Sequence, residues 1–157
     1  MWDNTLSKIN KRITPKKLIQ KWVTHPLKIK LINEGVNLVY RFESPNNNAY
    51  YAKITHQKLR KESEIQAAIA FQNHLYNHQV PVCKPIESSN HLWVESFQQD
   101  SNIFLAHVCQ EVPGKAITFQ HNSQNLYYQW GKILGHFHQS SKQFQIGNHS
   151  YTSWNQS

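Results

Sequence analysis

The stretch that most constrains the fold is KIKLINEGVNLVYRFESPNNNAYYAKIT, Lys28 to Thr55. Lys28–Asn33 and Asn37–Glu43 are rich in β-branched and aromatic residues, and only Glu34-Gly35-Val36 separates them. A third run, Ala49–Thr55, follows the breaker Ser44-Pro45-Asn46-Asn47-Asn48. Runs of this kind with turn chemistry between them predict two hairpins or a three-stranded meander. The third strand carries Lys53 between Ala52 and Ile54. Alternation puts Tyr51, Lys53 and Thr55 on one face, and Ala52 and Ile54 on the other. A mid-strand ammonium is costly to bury unless it meets an anion; otherwise Lys53 is an ordinary surface lysine at a sheet edge.

A chain of 157 residues fits one domain and can bury a real core. No stretch approaches the ~20 apolar residues that span a bilayer. Met1-Trp2-Asp3-Asn4 lacks the charged-then-apolar pattern of a signal peptide. Cys83 and Cys109 are isolated and form no disulfide framework. Together these features place the chain in a reducing cytoplasm. The formal charge of +8 is concentrated in residues 1–30, where Lys8, Lys11, Arg12, Lys16, Lys17, Lys21, Lys28 and Lys30 face only Asp3. The rest of the chain is nearly balanced, so the basicity belongs to a leader. A solvated helix face explains it more simply than a nucleic-acid site.

Thr14-Pro15 reads as an N-cap followed by proline at the first helical position, and Leu18, Ile19 and Trp22 continue a short apolar stripe. Arg60 to about His78 is the best helix, with Ile65, Ala68, Ile69, Phe71, Leu75 and Tyr76 on one broad face. Pro85–Ser88, His91–Phe97 and Ile103–Gln110 read as strands four and five with their connections. Gln124–Ser140 forms a last helix, in which Leu126, Trp130, Ile133, Leu134 and Phe137 share a face and Gly131 and Gly135 allow close packing. Beyond Gln143 the chain is polar and unpatterned.

Three strands, the third carrying a single lysine, then a helix and AFQNHLYNHQVPVCKPI (Ala70 to Ile86), resemble the amino-terminal lobe of the protein-kinase-like fold. More narrowly, residues 15–142 resemble the aminoglycoside and small-molecule phosphotransferases. The resemblance implies an α+β fold: a five-stranded antiparallel sheet with a long packed helix, then a hinge and the first helix of a second lobe. It divides the chain into a basic helical leader (1–27), the lobe (28–110), the hinge (111–118), the first helix of a truncated second lobe (119–142) and an unstructured tail (143–157). It also implies that Lys53 holds the phosphates of ATP and that the turn at Gly35 covers them. That turn is neither G-x-G-x-x-G nor a Walker A loop. In VCQEVPGKAI the resemblance makes Gln110, Glu111 and Val112 the hinge, whose backbone groups pair with the adenine edge. The family glutamate that pairs with the strand lysine falls on Ala68 in an ungapped comparison. Glu64, one turn earlier on the same face, would reach Lys53 only with a shift of the helix.

Phosphoryl transfer needs one aspartate to orient the acceptor hydroxyl and others to hold Mg. The only aspartates here are Asp3 and Asp100, neither beside a His-Gly nor an Asn at catalytic spacing. No catalytic and no metal-binding residue is therefore assigned, and Mg is expected only with a missing catalytic lobe. His74 and His78 stand four apart on the long helix but lack the Glu of H-E-x-x-H, so a solvated edge is the simpler reading. The expectation is the nucleotide-binding part of an ATP-dependent small-molecule phosphotransferase, binding ATP weakly or not at all and inactive alone. Its expected partners are the nucleotide and either the missing lobe or a second copy of the chain, met through an exposed apolar face; neither a membrane nor nucleic acid is expected. The alternatives are a non-catalytic binding or regulatory module on the same lobe, or a basic nucleic-acid-binding domain.

Overall fold

A computed structural model describes Ile9, Lys11, residues 14–114 and residues 124–145. Residues 1–8, 10, 12 and 13 of the leader, residues 115–123, which include the expected hinge from 115 onward, and the tail beyond residue 145 lie outside the described residues.

The meander forms as its sequence dictates. Strands β1 (Leu27–Glu34), β2 (Leu38–Glu43) and β3 (Ala49–His56) are antiparallel neighbours. The β1–β2 connection closes through the Gly35 N–H, which donates to the Asn37 carbonyl at 3.1 Å. Between β2 and β3, Ser44 N–H reaches the Asn48 carbonyl at 2.8 Å, while Asn47 takes φ 60°. Asparagine tolerates that left-handed backbone.

Further along lie helix α2 (Glu62–Asn77) and strands β4 (Pro85–Ile86), β5 (Glu95–Gln99) and β6 (Asn102–Gln110). The sheet order is β1-β2-β3-β6-β4, with β5 also on β6. The sheet thus has six strands where the sequence predicts five. Pro85 and Ile86 pair with Cys109 and Val108, and Glu95 to Gln99 pair with Ala106 to Asn102. β4 and β5 therefore lie end to end along one edge of β6. The turn at Ser88-Ser89-Asn90, with His91 at φ 58°, loops out and breaks what would be a single strand.

Alternation then fills two cores. Leu38, Tyr40, Phe42, Ala52, Ile54, Phe104, Ala106 and Val108 point to one face, where Leu18 and Ile19 of the short helix α1 (Thr14–Ile19) cover them. On the other face Ile65 and Ile69 of α2 pack on Leu105 and Val94, with Trp93 and Ile103 at the margin. A last helix, α3 (Gln124–Lys142), meets α2 through an edge-to-face contact of Phe71 with Phe137 and a 2.9 Å hydrogen bond between His74 Nε2 and the Ser140 carbonyl. Among the described residues Gly131 and Gly135 do not give the close packing expected of them: a Cβ at either would meet nothing there within 4 Å. Tyr127, Tyr128, Trp130, Ile133 and Leu134 of α3 are exposed among the described residues. No helix among the described residues is long and apolar enough to cross a membrane.

One polar knot ties the two ends of this lobe together. Glu95 is 4% exposed and accepts hydrogen bonds from Lys21 Nζ (2.7 Å), Ser88 Oγ (2.7 Å) and Asn90 Nδ2 (2.8 Å). Burial opposes its charge, yet these donors hold its carboxyl below the ordinary range. Replacing Glu95 with alanine strands the buried Ser88 hydroxyl and should lower unfolding free energy by about 2 kcal/mol, read from urea denaturation.

Candidate functional site

The cleft is built on the face of the sheet opposite α1. Register places Val39 of β2, Lys53 of β3 and His107 of β6 side by side across three adjacent strands. One step along, Arg41, Tyr51 and Cys109 form the next row. Above them α2 presents Ile65, Ala68, Ile69 and Gln72, which recur at i, i+3, i+4 and i+7 and so share one face.

Between sheet and helix lies a cavity of about 200 Å³. That is smaller than the ~300–1,000 Å³ of pockets for drug-sized ligands, and suits a compact charged group. Lys53, Thr55, His107, Asn37 and Arg60 complete its lining. The lining holds two cations and no carboxylate. Lys53 is exposed within it, while Thr55 is 4% exposed and its hydroxyl oxygen has no hydrogen-bond partner among the described residues. His107 is held neutral: burial first, then the charges of Lys53 and Arg60, push its imidazole down to about 4.

Arg60 was not singled out from the sequence for any role but the start of a helix. The turn after β3 delivers it, with Leu59 and Arg60 N–H groups both donating to the His56 carbonyl. Its side chain lines the cavity from that turn. No periodicity signals this, because the placement depends on a turn.

The other expected site residues fall around this cavity. Ala68 lines it directly, at the position where the resemblance expects the lysine's glutamate. Glu64 is the third residue of α2 and accepts the Lys61 N–H at 3.1 Å, capping the helix. Gly35 sits in the β1–β2 connection. Gln110 ends β6, and its N–H donates to the Lys84 carbonyl, while Glu111 N–H donates to Ala49, both at 2.8 Å. Val112 follows, half exposed at 52%, its backbone groups unpaired among the described residues.

The Glu111 side chain is committed to the sheet. Arg41 Nε and Nη2 grip its carboxylate at 2.8 Å each, and the Tyr51 hydroxyl donates to it at 2.9 Å. The Arg41 hydrogen bonds, then that of Tyr51, hold the Glu111 carboxyl below the ordinary range despite some desolvation. Cys109 offers no nucleophile, since burial and the neighbouring Cys83 push its thiol up to about 11. His74 and His78 stack at 4.1 Å, and among the described residues no three His, Cys, Asp or Glu side chains could hold a metal ion. The cavity itself supplies a divalent cation with no carboxylate ligand.

Residues 28–154 match the family described as APH, the phosphotransferase enzyme family. The chain belongs to that family. Its curated relatives include the amicoumacin kinase of Bacillus subtilis (strain 168), 25% identical over 124 residues that make up 78% of this chain and 37% of the relative. Among solved structures, amicoumacin kinase in complex with AMP-PNP, Ca2+ and Ami matches with a TM-score of 0.90 and 24% identity. That match covers 99% of this chain and 47% of the kinase. The microcompartment-associated aminopropanol kinase matches with a TM-score of 0.70 and 14% identity, over 89% of this chain and 44% of that one. These likenesses show the protein-kinase-like fold expected from the sequence. The phosphotransferase-family chain spans less than half the length of the relatives it matches.

The pH response of the lobe follows from His107. An unfolded chain takes up a proton there near pH 6.5, the folded one only near 4, so protonation favours unfolding across that interval. Stability should be complete above pH 6.5 and fall as the pH drops toward 4. A His107→Gln variant should show a flatter melting temperature over the same range, measured by circular dichroism.

Proposed function

We propose that this chain provides the ATP-binding part of a small-molecule phosphotransferase, and that it binds nucleotide rather than turning it over. The observation that carries the reading is the position of Lys53: at the centre of three paired strands, inside a carboxylate-free cavity closed by α2. An ammonium fixed there, with a second cation beside it, attracts a phosphate chain. Gln110, Glu111 and Val112 lead out of β6 at the cleft edge, and the backbone of Val112, unpaired among the described residues, is available to an adenine edge. Gly35 at the β1–β2 connection closes over the phosphates, and Glu64 steadies the α2 end nearest Lys53. The APH family membership and the AMP-PNP in a solved relative support the same ligand class.

Turnover needs carboxylates to orient an acceptor and to hold Mg, and Asp3 and Asp100 are the only aspartates of the sequence. We assign those tasks to a catalytic lobe that completes the cleft, with the segment from residue 111 to 118 as the connection. A bound nucleotide should raise the melting temperature of the wild-type chain by mass action, and Lys53→Ala should lose most of that rise. Thermal melts with and without ATP check this; a rise that survives Lys53→Ala removes Lys53 as the phosphate clamp.

The exposed row on α3 favours a partner lobe or a second copy on that side. Tyr127, Tyr128 and Trp130 are 55%, 64% and 58% exposed, an unusual cost for large rings with no role. Sedimentation velocity should show self-association that weakens in a Tyr128→Ser/Trp130→Ser double variant. A sharp monomer at every concentration would count against a contact face there.

A further inference from the structure

The cavity is electrically lopsided. Lys53 and Arg60 both line it, both charges act on His107, and no carboxylate lies among the lining residues. Ala68 lines the cavity from α2, and its methyl group offers no counter-charge. Thr55 adds a buried hydroxyl without a partner, and the neutral imidazole of His107 adds one N–H donor. Gln72 does not compensate, because its amide nitrogen is spent on the Cys83 carbonyl at 2.7 Å.

Two cations held close without an anion repel one another, and a ligand that supplies the anion removes that repulsion. We propose that Arg60 is a second phosphate-binding residue, and that Lys53 and Arg60 together clasp an oxyanion of the phosphate class, which takes the place of the missing helix carboxylate. Thr55 Oγ1 completes the clasp as a donor. This deepens the nucleotide reading and rests on it for the source of the phosphate. The chemistry of the clasp itself is met equally by a nucleotide's phosphate chain and by free polyphosphate.

Arg60 is exposed at a turn, so its replacement leaves both cores untouched. The experiment is calorimetric titration of the full chain with sodium tripolyphosphate and, separately, with ATP. It compares wild type, Lys53→Ala, Arg60→Ala and Arg60→Lys, with Lys58→Ala as an exposed control outside the cavity. Removing a charge-assisted hydrogen bond should weaken tripolyphosphate binding by about tenfold in Lys53→Ala and in Arg60→Ala. Arg60→Lys should recover part of the loss, and Lys58→Ala should stay within about twofold of wild type.

If Arg60→Ala binds tripolyphosphate as well as Lys58→Ala does, the clasp is overturned. If Lys53→Ala loses ATP while Arg60→Ala keeps it, the nucleotide reading stands and the Arg60 assignment falls. If both variants lose tripolyphosphate while ATP never binds, the clasp stands and its ligand is a free oxyanion. Wild-type protein that binds neither ligand overturns the clasp.

Discussion

The cleft depends on one constraint, the pairing of β3 with β2 on one side and β6 on the other. That double pairing sets a single register across three strands. Tyr51, Lys53 and Thr55 then share a face with Val39, Arg41, His107 and Cys109, while Ala52 and Ile54 join Phe42 and Phe104 in the core. Side chains alternate with a period of two, so a slip of one residue would drive Lys53 among the buried rings and turn Ala52 and Ile54 outward. The apolar core therefore enforces the position of the lysine. The same alternation sets both the core and the lining of the cavity.

Charge is distributed to the same end. Glu34 pairs with Lys11, Glu43 with Lys28 and Arg41, and Glu62 with Gln66, while Glu87 lies 3.8 Å from His91. Glu64 caps α2, Glu95 holds Lys21, and Glu111 holds Arg41 and Tyr51. None of these glutamates lines the cavity between β3 and α2, which is left cationic. Burial first, and then the charges of Lys53 and Arg60, keep His107 neutral. Ala68 is thus part of a wider pattern rather than a single lost contact.

Much of this was legible in the sequence, because local signals carry it. Strand composition and the Asn-rich turn located β2 and β3, and helical spacing located α2, each to within a residue or two. Lys53 stood out as a charge in the middle of a strand. Arg60 and His107 did not, since neither is placed by local pattern: a hydrogen-bonded turn positions Arg60, and His107 meets Lys53 only through pairing of strands far apart in the chain. The interrupted edge of β6 was unreadable for a similar reason. Two short segments separated by a loop look like two strands until a common partner shows that they share one edge. The glycines of α3 carried a packing signal that the described neighbours do not answer.

The insertion of α2, β4 and β5 between β3 and β6 has a consequence for synthesis. The meander β1-β2-β3 can assemble as soon as residue 56 has left the ribosome, but the second edge of β3 waits for β6, which ends at Gln110. During that delay a nascent chain presents unpaired N–H and C=O groups along the lysine strand, and such an edge is a template for pairing with another chain. Lys53 itself then acts as a gatekeeper, because a charge on an open strand discourages edge-to-edge growth. The residue that lines the cavity of the finished fold protects the unfinished one.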